Sequence, residues 1–237
     1  MLILDLDGTV LSVNSFRRWV LYLMRARFPH LGAAHRLAIA CATVSALSAR
    51  KLRLTGHEAL KWRLQKLWQA ATDGDGGSSE RVLVEDLTAF VRPELAGVLK
   101  AVAAGEVDAV LATAAAGDYA YGFGKSLGFT HILATDPMRA VTEPSNVGER
   151  KRQAVLDFIT SRGWQDRPRI LFTDHEDDLP LIRICETVYW FGSDRERAAV
   201  QRMAPGIRIL PGLSASYDTM EPGWADSMPV NVLDSAR

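Results

Sequence analysis

Two aspartates stand one residue apart in the opening stretch MLILDLDGTV, where an apolar run delivers Asp5 and Asp7 directly into Gly8 and Thr9. Side chains two apart on an extended strand share a face, so the two carboxylates point the same way, or nearly so if the strand is already curling. Held close, they raise each other's pKa unless a cation lies between them, and a hard oxygen-liganded ion such as Mg²⁺ suits that place. One carboxylate could then attack phosphorus while the other moves a proton. A plain polar turn after a strand accounts for the tetrapeptide equally well.

Three later stretches carry groups that fit the chemical reading. Thr113 follows the apolar run VDAVLA and precedes three alanines. It is a hydroxyl beside small residues whose backbone amides, Ala114 first, can approach an anion at a helix start. Lys151 lies in SNVGERKRQAV at the entry of a helix, where a cation is poorly matched to the dipole; the misfit is relieved if the ammonium turns toward a phosphate and nearby carboxylates. Asp174, Glu176, Asp177 and Asp178 follow the apolar strand RILF. Helix capping explains some of these acids, but not Asp174, which sits at the strand end where a ligand shared with Asp5 and Asp7 is needed. His175, alone in this acidic loop, reads as a surface or supporting residue.

These groups need a scaffold, and the periodicity supplies one. Residues 1–6 read as a buried central strand, with Gly8 turning the chain at the carboxyl end where ligands of parallel sheets bind. Phe16, Trp19, Val20, Leu23 and Met24 then form one helical stripe, and Pro29 ends that helix. Residues 33–53 and 57–71 read as further helices, the latter with Leu60, Leu64, Leu67 and Ala71 on its apolar face. TDGDGGSSE, residues 72–80, is a loop, followed by helical pieces over 82–91 and 93–104. Strands over 107–112, 132–135, 169–172, 188–191 and 207–210 alternate with helices over 118–127, 151–162, 179–185 and 195–203. The pattern predicts an α/β fold, a doubly wound Rossmann-like parallel sheet with an inserted all-helical cap. The expected division is a core of residues 1–12 and 90–213, a cap of residues 13–89, and a loosely ordered tail of residues 214–237.

A chain of 237 residues, 48% of them hydrophobic, has ample material for a packed core, which excludes wholesale disorder. The formal net charge of zero hides an asymmetry. Between residues 10 and 70 eleven Arg and Lys face the single acid Glu58, so that segment carries +10 and the rest −10. The two cysteines, Cys41 and Cys185, sit in apolar contexts and read as core fillers in a reducing compartment. The opening apolar run is too short for a signal peptide, and the longest uncharged run, residues 37–49, is shorter than the roughly 18 residues of a membrane span. A cytoplasmic protein is expected.

In order along the chain, DLDGTV, LATAA, GERK and TDHEDDLP resemble the four motifs of the haloacid dehalogenase superfamily of aspartate-nucleophile phosphohydrolases, and the helical insert resembles the cap of its phosphoserine-phosphatase-like branch. The resemblance implies that Asp5 is the nucleophile forming an aspartyl-phosphate and Asp7 the general acid/base. It implies that Thr113, Ala114 and Lys151 hold the phosphoryl group, that Mg²⁺ is bound by Asp5, Asp7 and Asp174, and that Asp178 supports the metal site or Lys151. Two departures stand out. Thr173 and His175 flank Asp174 where the family often has Gly and Ser, and Asn14 stands where phosphoserine phosphatases carry a substrate-binding Glu. Metal-independent dehalogenases lack the second aspartate, so Asp7 points away from halide chemistry.

The basic cap offers Asn14, Arg17 and Arg18 as candidates for selecting a small anionic phosphomonoester. Its aromatics, Trp19, Tyr22, Phe28, Trp62 and Trp68, also suit an amphipathic helix on an anionic membrane surface, whereas no recognised nucleic-acid-binding motif is present. Phosphoryl transfer to an acceptor other than water, and a non-catalytic membrane- or RNA-binding module, are the alternatives to hydrolysis.

Overall fold

The computed structural model describes residues 1–137 and 145–213, so the expectation for the tail lies outside the described residues. Six strands, β1 (Leu2–Leu4), β2 (Ala109–Ala116), β3 (Ile132–Thr135), β4 (Ile170–Thr173), β5 (Thr187–Trp190) and β6 (Arg208–Pro211), form one parallel sheet. Its order, β3-β2-β1-β4-β5-β6, places β1 at the centre. The chain builds outward to one side through β2 and β3, then returns to the other through β4. Parallel sheets bind ligands where the order reverses, and here that point is the carboxyl ends of β1 and β4.

Period-two alternation sends successive side chains to opposite faces. Leu2, Leu4, Ala109, Leu111, Ile170 and Phe172 join one buried cluster, while Ile3, Val110, Ala112, Leu171 and Val188 join the other. The second face is covered by α7 (Glu149–Arg162), α8 (Leu179–Ile182) and α9 (Asp194–Met203). The first is covered by α5 (Ala96–Ala103) and α6 (Gly117–Ser126). Between β1 and β2 the chain inserts α1 (Ser15–Arg25), α2 (Ala33–Lys51), α3 (His57–Thr72) and α4 (Ser78–Thr88). Their buried residues, Trp19, Leu64, Trp68 and Leu87 among them, belong to the same cluster as Leu4 and Phe172, so the cap shares the core's apolar interior.

Local chemistry moved several boundaries. The first helix stops at Arg25 because Ala26 adopts a left-handed conformation (φ 44°), before the stop that Pro29 implies. Met24, expected on its buried stripe, is exposed, and Tyr22 takes the buried place. The glycine-rich loop is shorter than expected: Asp75 accepts hydrogen bonds from the amides of Gly77 (2.7 Å) and Ser79 (3.0 Å), so α4 begins at Ser78. Cys185 is buried as expected, but Cys41 is exposed on α2. Trp19, Tyr22, Phe28 and Trp68 pack against one another inside the cap, and Trp62 is half-buried, which removes them as a lipid-facing aromatic set. Among the described residues no helix is long and apolar enough to cross a membrane.

Candidate active site

Asp5 leaves the end of β1 with its amide still bonded to the Phe172 carbonyl (2.9 Å), which fixes it at the β1–β4 seam. The chain then turns through Gly8 (φ 77°), whose carbonyl is clamped by Arg92 through Nε (3.2 Å) and Nη2 (3.0 Å). Glycine is required here twice over. The left-handed backbone disfavours a side chain, and a Cβ would overlap the Asp174 carboxylate, which comes from the end of β4 and occupies that space.

Lys151, on the first turn of α7, is buried and reaches back to the strand ends. Its ammonium donates to Asp5 Oδ1 at 2.6 Å and to the Asp178 carboxylate at 2.8 Å. Thr173 Oγ1 donates to Asp178 Oδ2 at 2.6 Å, and Thr9 Oγ1 to Asp174 Oδ1 at 3.3 Å. The poor fit of a cation with a helix start is thus relieved by two carboxylates.

Burial opposes the charge on Lys151, but Asp178 and Asp5 outweigh it and the pKa is raised. Burial raises Asp5, against the pull of Lys151. It also raises Asp7, whose Oδ1 accepts from the Ser15 amide at 2.7 Å, and Asp174, which accepts from Thr9. Burial thus disfavours the charged form of each of these carboxyl groups, a cost that a bound cation would offset.

A cavity of about 560 Å³ opens over this cluster, lined by Asp5, Asp7, Thr113, Ala114, Lys151, Asp174 and Asp178 among others. The candidate catalytic, phosphate-binding and acidic residues are thus brought together. Of the cap candidates, Asn14 lines the cavity and also caps α1, accepting from the Arg17 amide at 3.1 Å. Arg17 and Arg18 do not line it: Arg18 lies over the Phe90 ring and 3.9 Å from Asp86. His175 lines the cavity rim with an exposed side chain and accepts from the Asp177 amide. Thr113 differs from expectation in its setting. The strand continues through the alanines to Ala116, with a register shift against β3, and Thr113 Oγ1 accepts from the Ala115 amide at 3.0 Å. No helix start follows it directly.

Lys61 and its surroundings were missed by sequence reasoning. From α3 this buried cation reaches the cavity and donates to the Ala114 carbonyl (2.9 Å) and to Ser145 Oγ (2.6 Å). Ser145 in turn donates to Glu58 (2.9 Å), and Asn146 Nδ2 donates to the Thr113 carbonyl (3.1 Å). A signal was available: Lys61 and Gln65 fall on the same helical stripe as Leu60, Leu64 and Trp68, polar residues at positions the period assigns to the interior.

The family model described as haloacid dehalogenase-like hydrolase matches residues 2–183. The chain belongs to that family. Among solved structures it is similar to a protein of unknown function from Bordetella pertussis Tohama I (TM-score 0.68, 18% identity, covering 89% of this chain and 97% of that one). It is also similar to a probable phosphoserine phosphatase from Vibrio cholerae (TM-score 0.56, 9% identity, 88% of this chain and 60% of that one). A third similar structure is a phosphoserine phosphohydrolase-like protein from Francisella tularensis (TM-score 0.50, 12% identity, 93% of this chain and 99% of that one). At these identities the likeness concerns the fold. No curated protein matches the sequence.

Haloacid dehalogenase-like membership is consistent with Mg²⁺-dependent chemistry in general. Among the described residues no group of three or more Asp, Glu, His or Cys side chains is gathered that could hold a metal ion. Asp5 and Asp174 suit a hard cation: both line one cavity with Asp7, and the Asp174 carboxylate fills the cradle beside Gly8.

Proposed function

We propose that this haloacid dehalogenase-like hydrolase is a Mg²⁺-dependent phosphomonoester hydrolase working through an aspartyl-phosphate on Asp5. The observation that carries the reading is the buried Asp5–Lys151–Asp178 arrangement beneath a cavity that Asp7 also lines. Lys151 engages Asp5 Oδ1, so Oδ2 is the attacking atom. Its lone pair forms the bond to phosphorus as the bond to the leaving oxygen breaks, and Asp7 gives that oxygen a proton. The raised pKa of Asp7 suits an acid. In the second half Asp7 takes a proton from the water that attacks the aspartyl-phosphate, releasing inorganic phosphate and restoring Asp5. Lys151, Thr113 and the Ala114 amide hold the phosphoryl oxygens. Asp5 and Asp174 would hold Mg²⁺, which supplies charge neutralisation of the transferring group when bound.

Residues 13–89 act in this reading as the cap over a catalytic core of residues 1–12 and 90–213, and two unpaired cysteines support a cytoplasmic setting. Asn14 offers an amide where an ammonium-bearing substrate such as phosphoserine calls for a carboxylate, so the substrate class is a small phosphomonoester other than phosphoserine. Hydrolysis of an aryl phosphate, measured with and without Mg²⁺, tests the proposal. Wild type should turn over only with the metal, and Asp5→Asn should lose about 10⁴-fold in kcat. Phosphate release by Asp5→Asn at the wild-type rate overturns it, and a phosphorylated alcohol in place of free phosphate assigns transfer instead.

A further inference from the structure

The largest unexplained feature outside the cavity is the solvent side of the cap. Leu37, Cys41, Val44 and Ser48 recur at spacings of four, three and four along α2, so they share one helical face. That face points away from Thr43 and Ala46, the buried residues of the helix. Leu37 is 66% exposed and Val44 46%. No charge interrupts the stretch between Arg36 and Arg50. At its end the chain turns through Arg53 in a left-handed conformation (φ 58°), leaving Leu52 and Leu54 69% and 74% exposed. Such side chains facing water together, rather than singly, mark an interaction surface.

The occupant is argued from charge. Arg36 lies at one end of the stripe, with Arg50, Lys51 and Arg53 at the other; all are exposed, and none is in an ion pair among the described residues. A groove between α1 and α2 joins Met24 and Leu37, and it is flanked by Arg25 and Arg36. A second copy of this face would bring cations against cations. An anionic lipid surface instead receives leucines at its acyl boundary and arginines at its headgroups.

We infer that the outer face of α2 and the turn after it dock the protein on an anionic membrane surface. Leu54 precedes His57, which lines the cavity, by three residues, so docking holds the cavity within about 11 Å of chain from the lipid. The inference is independent of the reaction proposed above.

Co-sedimentation of the full chain with vesicles tests it. Wild type should bind phosphatidylcholine vesicles containing about one-third phosphatidylglycerol at least about tenfold more tightly than phosphatidylcholine alone, and high salt should release it. Leu52→Glu/Leu54→Glu and Arg50→Glu/Lys51→Glu should each lower binding about tenfold or more. Turnover of a soluble aryl phosphate, or the unfolding midpoint, should be unchanged in both, showing that the fold is intact. Equal binding to both vesicle types, or full binding by the leucine variant, overturns the inference. So does a wild-type dimer that the same leucine variant splits, which assigns the face to a second copy.

Discussion

Two buried lysines face the same cavity from opposite sides, and their surroundings differ in kind. Lys151 in the core is held by two carboxylates, and its pKa is raised. Lys61 in the cap is held by a carbonyl and a hydroxyl; burial lowers its pKa, with Glu58 and Asp7 only partly opposing this. The core lysine is a fixed charge that the fold has compensated, so its contribution to stability is full below the ordinary lysine pKa and is lost as the pH rises from there through its raised folded value. The cap lysine is a positioned donor whose proton is held less firmly than an ordinary lysine's. The core side is built to hold charge, whereas the cap side is built to join two parts of the chain through neutral partners.

The sharpest way to break this contrast is to remove each ammonium. Lys151→Met leaves Asp5 and Asp178 buried without their cation and should cost about 3–5 kcal/mol in urea unfolding, besides abolishing turnover. Gly8→Ala tests the other half of the core. It forces both the left-handed turn and the Asp174 carboxylate to move, and should raise the Mg²⁺ concentration for half-maximal activity about 10-fold or more, read from a metal titration. Lys61→Met should cost only about 1–2 kcal/mol, because the Ala114 carbonyl keeps its bond from Thr135 and Ser145 keeps its bond to Glu58, and should raise KM more than it lowers kcat. A loss from Lys61→Met as large as that from Lys151→Met would erase the distinction.

The smallest effect belongs to the cap's loop. Asp75→Ala should cost about 0.5–1 kcal/mol at neutral pH, through the lost bonds to the Gly77 and Ser79 amides. Burial pushes the Asp75 carboxyl up, but the hydrogen bonds from Ser79 and Gly77 together outweigh it and lower the pKa below 3.8. Its contribution is therefore full above that value and fades as the pH falls through the folded pKa. Thermal melts of wild type and variant should converge in acid, and a gap that persists there would show that Asp75 acts through something other than its charge.

Wherever cause and effect are neighbours in sequence, the chain could be read directly. The apolar run into Asp5 and Asp7, the strand before Asp174 and the helix entry at Lys151 each announce themselves within about ten residues, and the alternation of strands and helices gave the parallel sheet and its inserted helices. Expectations failed where a local feature was settled by a distant one. Met24 fits the helical period but faces water, and Cys41 lies in an apolar stretch yet is exposed, because periodicity says which residues share a face and not which face finds a partner.

The sequence alone determined that this is an α/β chain with acids at the strand ends, because strand, turn and helix preferences act over a few residues. Only the tertiary structure decided that Asp7 accepts from the Ser15 amide and that Lys61 closes onto Ala114 and Ser145. It alone decided which side of α2 stays open. Such choices depend on desolvation and hydrogen-bond partners brought together from 53 and 84 residues away, as for Lys61, and no short-range pattern encodes which partner arrives.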